Sequence, residues 1–153
     1  VLRLCSRMGS KMVSNKAKGS KHEKECQIIL EGQQFVTMRS PRTMTPIGPG
    51  RYISRDCDYW NLYDVCAKKA GWTRWIQVKS TASGVSSAKK PIKEFHDAYN
   101  SSNTESSEIW LRVAKKGWVV YCYNPKEDEW VKEFFTLKGV QVDPFTYTGG
   151  KTK

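Results

Sequence analysis

A mixed β-sheet flanked by helices, in the order α-β-β-β-α-β-β, is the α/β fold class that this sequence predicts. Two observations carry the prediction: two stretches of helical apolar period, and several short runs rich in aromatic and β-branched residues between them. At 153 residues the chain suits one domain with its own core.

Residues 1–18 hold Arg3, Arg7, Lys11, Lys16 and Lys18 without an acid, and are expected to form a basic, flexible arm. The folded domain is expected over residues 19–137, with a tail over 138–153. In Ser20–Glu31, Cys26, Ile29 and Leu30 recur at helical spacing, while Ser20 and Glu23 stand as in a capping box. Gln33–Ser40 reads as a strand, and Pro41–Gly50, with three prolines and two glycines, as an irregular loop.

Trp60–Ala67 and Trp72–Ser80 read as strands joined by the short Lys68–Gly71 turn, hence a hairpin. Alternation puts Leu62, Asp64 and Cys66 on one side of the first and Trp75, Gln77 and Lys79 on one side of the second. Ser80–Ser87 is a mobile linker by composition, and Ala88–Asn100 a second amphipathic helix with Pro91 in its first turn. After a polar loop at Asn100–Ser107 come strands at Glu108–Val113 and Trp118–Tyr123, turned at Lys115-Lys116-Gly117, and a last strand at Trp130–Leu137.

Lys and Arg total 26 against 15 acids, a net charge of +11 that favours a polyanionic partner, nucleic acid first. Cys5, Cys26, Cys57, Cys66 and Cys122 form no C-x-x-C pair, and read as free thiols of a reducing compartment. No apolar run approaches the roughly 18 residues of a membrane span, so a soluble, intracellular protein is expected.

The chemistry centres on Asp64 in one strand and Gln77-Val78-Lys79 in the next. Burying Asp and Lys among Tyr63, Val65, Ile76 and Val78 costs several kcal/mol unless something pairs them, as a divalent ion with a phosphate would. A hard cation, Mg²⁺ or Mn²⁺, takes oxygen ligands, and Asp64, the Gln77 side-chain oxygen and the Val78 carbonyl form a half-shell for it. Lys79 would then offset charge growing on a phosphate.

Lys18-Gly19-x-x-x-Glu23, Tyr63-Asp64-Val65 and Ile76-Gln77-Val78-Lys79-Ser80 resemble the pattern of the archaeal Holliday junction resolvases, within the PD-(D/E)XK nuclease superfamily. The resemblance covers roughly Lys18–Tyr123. It implies a restriction-endonuclease-like fold, a metal site built from Glu23, Asp64, Gln77 and Lys79, cleavage of branched or other DNA, and a homodimer. Gln77 departs from the usual Glu or Asp and removes one negative charge from the metal site, which Asp56 or Asp58 would restore if their loop folds back.

Each residue also has a plainer role. Glu23 serves equally as the N3 residue of a cap, and Asp56 and Asp58 as turn formers. His22 and His96 read as surface or phosphate-contacting residues, and most of the six tryptophans as core, with Trp60 and Trp72 flanking the site. Lys18, Lys21, Ser80, Lys89 and Lys90 are the expected contacts to a phosphate backbone. Two rivals to the nuclease stay open: a binding module of the same fold without cleavage, and a basic RNA-binding or assembly protein without a metal.

Overall fold

A computed structural model describes residues 15–144, with backbone alone for 15–17 and 54–56. Residues 1–14 of the expected arm, and most of the tail, lie outside the described residues. Helices α1 (Asn15–Gly32) and α2 (Ala82–Tyr99) lie on opposite faces of a seven-stranded sheet. Its strands, in spatial order, are β1 (Val36–Arg39), β4 (Val65–Lys69), β5 (Trp72–Lys79), β6 (Glu105–Val113), β7 (Gly117–Asn124), β8 (Glu129–Phe135) and β9 (Gln141–Val142). A separate two-stranded hairpin, β2 (Arg42–Gly48) and β3 (Arg51–Asp56), leaves the sheet between β1 and β4. Every pairing is antiparallel except β5 with β6, which α2 connects. Among the described residues the sheet is not closed into a barrel, and no helix is long and apolar enough to cross a membrane.

The period-two alternation of β5 divides the core. Ile76 packs toward α1 with Cys26, Leu30, Val65, Trp110 and Trp118. Trp75 turns the other way, toward Tyr63, Ile92, Ile109 and Phe95 on the α2 side. Several buried polar groups are paired, although among the described residues the Trp118 indole N–H and His22 Nδ1 have no hydrogen-bond partner. Arg74 donates to both carboxylate oxygens of Glu108, at 2.7 and 2.5 Å, and its guanidinium lies over Phe35, Trp72 and Trp110. Burial alone would push the Glu108 carboxyl up. Arg74, with hydrogen bonds from Ser106 and the Trp110 indole, outweighs it and holds Glu108 below its ordinary value.

Several local expectations need correction. Helix α1 begins at Asn15, so Ser20 lies inside it, where its hydroxyl accepts from Arg39 at 3.1 Å instead of capping, and Glu23 is not an N3 residue. Pro41–Gly50 is largely strand, because Pro46 and Gly48 fall at a β-bulge of an exposed hairpin, where a missing N–H is tolerated. Strand β4 starts only at Val65, since Trp60 and Asn61 adopt left-handed φ of 52° and 57° in a turn closed by Tyr59 and Tyr63. Ser80–Ser87 is no linker: Thr81 caps α2 by accepting from Gly84 N–H at 3.1 Å, and Val85 joins Ala88, Ile92 and His96 on the buried face. Pro91 therefore lies in the helix interior. Strand β9 falls within the expected tail.

The Lys115–Gly117 turn ends in a tight approach. Gly117 has φ 143°, and a Cβ there would meet the Phe135 carbonyl at 2.0 Å. Gly117→Ala is therefore expected to cost roughly 2–3 kcal/mol, from backbone strain and displacement of β8. Urea denaturation would check this, and an unchanged midpoint would contradict the close β7–β8 approach.

Candidate active site

The turn at Tyr59–Tyr63 delivers the chain to Asp64 at the head of β4. Its backbone is fixed on both sides: Asp64 N–H donates to the Ile76 carbonyl at 2.8 Å, and Ser40 N–H donates to the Asp64 carbonyl at 2.8 Å. The carboxylate Oδ2 accepts from Val78 N–H at 2.8 Å, while Oδ1 has no hydrogen bond among the described residues. Asp64 is only 8% exposed. Burial pushes its carboxyl up to about 7. The Val78 N–H opposes the rise, Asp58 and Glu23 add to it, and Lys79 opposes it again.

Gln77 and Lys79 stand on the α2 side of β5, next to the Asp64 position. The Gln77 amide satisfies both ends when its nitrogen donates to the Leu62 carbonyl at 2.9 Å and its oxygen accepts from Lys79 Nζ at 3.1 Å. A glutamine can do both at once, whereas a glutamate would face the Leu62 carbonyl with another acceptor.

Glu23 lies near enough to influence Asp64 electrostatically, but its carboxylate forms an ion pair with Arg39 Nε at 3.5 Å. Asp58 lies close enough to raise Asp64, and accepts from the Ser40 hydroxyl at 3.3 Å. The Asp56 side chain lies outside the described residues. Among the described residues, no three His, Cys, Asp or Glu side chains stand close enough together to hold a metal ion. The oxygen donors at hand are one buried carboxylate and one amide, a set suited to a hard cation that keeps several waters.

An open groove of about 660 Å³ is lined by Lys18, Lys21, His22, Ser80, Arg112 and Lys115, with Ser80 directly after Lys79 in the chain. It joins the first half of α1, the β5–α2 junction and the β6–β7 turn, and Thr81 at the N-terminus of α2 borders it. Burial lowers the His22 pKa, Glu25 opposes this, and Arg112, Lys21 and Lys18 lower it further, which favours the neutral imidazole. Lys18, Lys21 and Ser80 were singled out from the sequence alone. Arg112 and Lys115 were not, because only the fold brings the β6–β7 turn alongside α1. Arg112 is held there by Glu25, Nε to Oε2 at 2.9 Å.

Lys89 and Lys90 do not join this groove: Lys89 lies over the Tyr121 ring, and Lys90 pairs with Glu94 along α2. His96 is not a surface residue. It is 1% exposed, its Nδ1 lies 2.8 Å from the Ser107 hydroxyl, and that hydroxyl is 2.8 Å from the Tyr63 hydroxyl, beneath the Asp64 turn. Trp60 stacks edge-on with Trp75 in the Asp64 turn, whereas Trp72 sits at the start of β5, the end away from Lys79. Compared with protein-family models, with curated proteins and with solved structures, the chain gives no match.

Proposed function

We propose that this protein is a metal-dependent endonuclease of the PD-(D/E)XK type, similar to the archaeal Holliday junction resolvases, that hydrolyses DNA phosphodiester bonds. The observation that carries the reading is Asp64, a buried carboxylate held by the Val78 N–H, beside the Gln77–Lys79 pair on the adjoining strand. Two features support it. The meander β1-β4-β5, followed by α2 and the parallel strand β6, is compatible with a restriction-endonuclease-like order. A cationic groove begins at Ser80, directly after Lys79, and offers Lys18, Lys21, Arg112 and Lys115 to a phosphate backbone.

Asp64, the Gln77 amide oxygen and the Val78 carbonyl would hold Mg²⁺ or Mn²⁺, with Glu23 contributing if it exchanges Arg39 for the ion. When bound, such a cation supplies Lewis acidity at the phosphate and a more acidic water. The chain's own residues do the rest. Lys79 places a cation where negative charge grows on the phosphate, and the groove lysines and Arg112 neutralise flanking phosphates and fix the strand's register. Structure-selective cutting by a homodimer in an intracellular setting completes this reading.

A second reading, a binding module without cleavage, draws on specific observations. Gln77 is satisfied by Leu62 and Lys79, and Glu23 by Arg39, without any metal. Gln77→Glu separates the two. The added charge is expected to tighten Mn²⁺ binding on the order of tenfold, measured by calorimetry. Metal-dependent cutting of DNA by wild type and variant alike supports the nuclease. Cutting by the variant alone makes the natural protein a binding module, and cutting by neither overturns the nuclease reading.

A further inference from the structure

The β2–β3 hairpin has no place in the site described above. It packs mainly on itself, yet Met44, Ile47 and Tyr52 are each more than half exposed, and a lone two-stranded hairpin is at best marginally stable in water. Its base is fixed beside the acid. Ser40, just before β2, donates its N–H to the Asp64 carbonyl and its hydroxyl to Asp58, and Cys57 N–H donates to the Pro41 carbonyl at 3.0 Å. A strand whose phosphate lies at Asp64 must pass this arm.

The arm's charge and size favour one occupant. Residues 42–56 contain three arginines and one aspartate, and Arg51 at the start of β3 is exposed with Thr43 and Thr45. The seven residues of β2 reach roughly 20 Å, and a two-stranded ribbon fits the DNA major groove, about 12 Å wide. The major groove of duplex RNA is too narrow for it. We infer that the β2–β3 hairpin is a DNA-engaging arm that enters the major groove of the duplex beside the scissile phosphate. Tyr52 and Met44, on one face of the ribbon, pack on base edges, while the long Arg51 side chain at the hairpin tip reaches round to a flanking phosphate. This rests on the DNA-directed reading proposed above, but not on cleavage.

The test uses the full chain and two variants: residues 43–55 replaced by a short Gly-Ser turn, and Arg51→Glu combined with Tyr52→Ala. Because the arm packs on itself, both variants should melt as the wild type does. Fluorescence anisotropy with labelled duplex DNA, single-stranded DNA and duplex RNA, at fixed salt and without divalent ions, reads affinity. Light scattering reads oligomeric state. The expected result is at least about a tenfold loss of duplex-DNA affinity in both variants, with single-strand affinity much less changed. Unchanged duplex-DNA binding in either variant overturns the inference, and if the oligomer dissociates at the same time, the arm instead joins two copies of the chain. If the wild type binds duplex DNA through the arm but never cuts it, the inference stands and the nuclease reading falls. Wild-type binding to no nucleic acid overturns both.

Discussion

Glu108→Ala is expected to destabilise the fold by about 3–5 kcal/mol, because it strands the Arg74 guanidinium inside the sheet with its charge uncompensated. Glu108 is 2% exposed, and its two oxygens take both hydrogen bonds from Arg74. The pair bridges the parallel strands β5 and β6 at the level of Arg74, Trp75 and Ile76, directly before the segment that presents Gln77 and Lys79. Loss of the pair should therefore disturb the site as well as the fold. The double replacement Arg74→Met with Glu108→Leu should recover most of the loss, since an apolar pair of similar volume carries no desolvation cost. Denaturant unfolding of the three proteins would decide it, and a loss below about 1 kcal/mol for Glu108→Ala would contradict the account.

Asp64→Asn is expected to stabilise the metal-free protein at pH 8. Burial in the folded protein pushes the Asp64 carboxyl up to about 7, well above the ordinary aspartate range. Folding therefore favours the neutral carboxyl, and this contribution is present below about pH 4 and lost as the pH rises through 7. The shift corresponds to a penalty on the order of 4 kcal/mol at pH 8, an upper figure for what the amide relieves. The asparagine oxygen can still accept from Val78 N–H, so the difference should close near pH 4. Thermal melting across pH 4–8 in a chelator would show it. Adding Mg²⁺ at pH 8 should then raise the wild-type midpoint and leave that of the variant where it was. Parallel pH profiles for the two proteins would mean that Asp64 is not the strained acid described here.

The sheet was legible where alternation is uninterrupted: β5, read as Trp72–Ser80, ends at Lys79, and the β6–β7 turn falls on Lys115–Gly117. Composition misled where local geometry overrides it. The serines and glycine after Lys79 suggest a linker, yet the Thr81 cap and the buried face from Val85 to His96 make a helix. The prolines and glycines of 41–50 suggest a loop, yet backbone pairing with 51–56 makes a ribbon. For the site, the closeness of Asp64, Gln77 and Lys79 followed from the hairpin they share. The Glu23–Arg39 pair, the anchoring of Arg112 by Glu25 and the Arg74–Glu108 bridge depend on elements far apart in sequence, and no local spacing announces them.

The most direct test of the central claim is cleavage of labelled four-way junction, flap and linear duplex DNA with Mg²⁺ or Mn²⁺, comparing wild type with Asp64→Ala and Lys79→Ala. The account predicts metal-dependent cutting by the wild type, reduced at least about 10²–10³-fold in each variant while DNA binding persists. Cutting that survives in either variant, or a wild type that binds DNA without cutting any of the three, would contradict it.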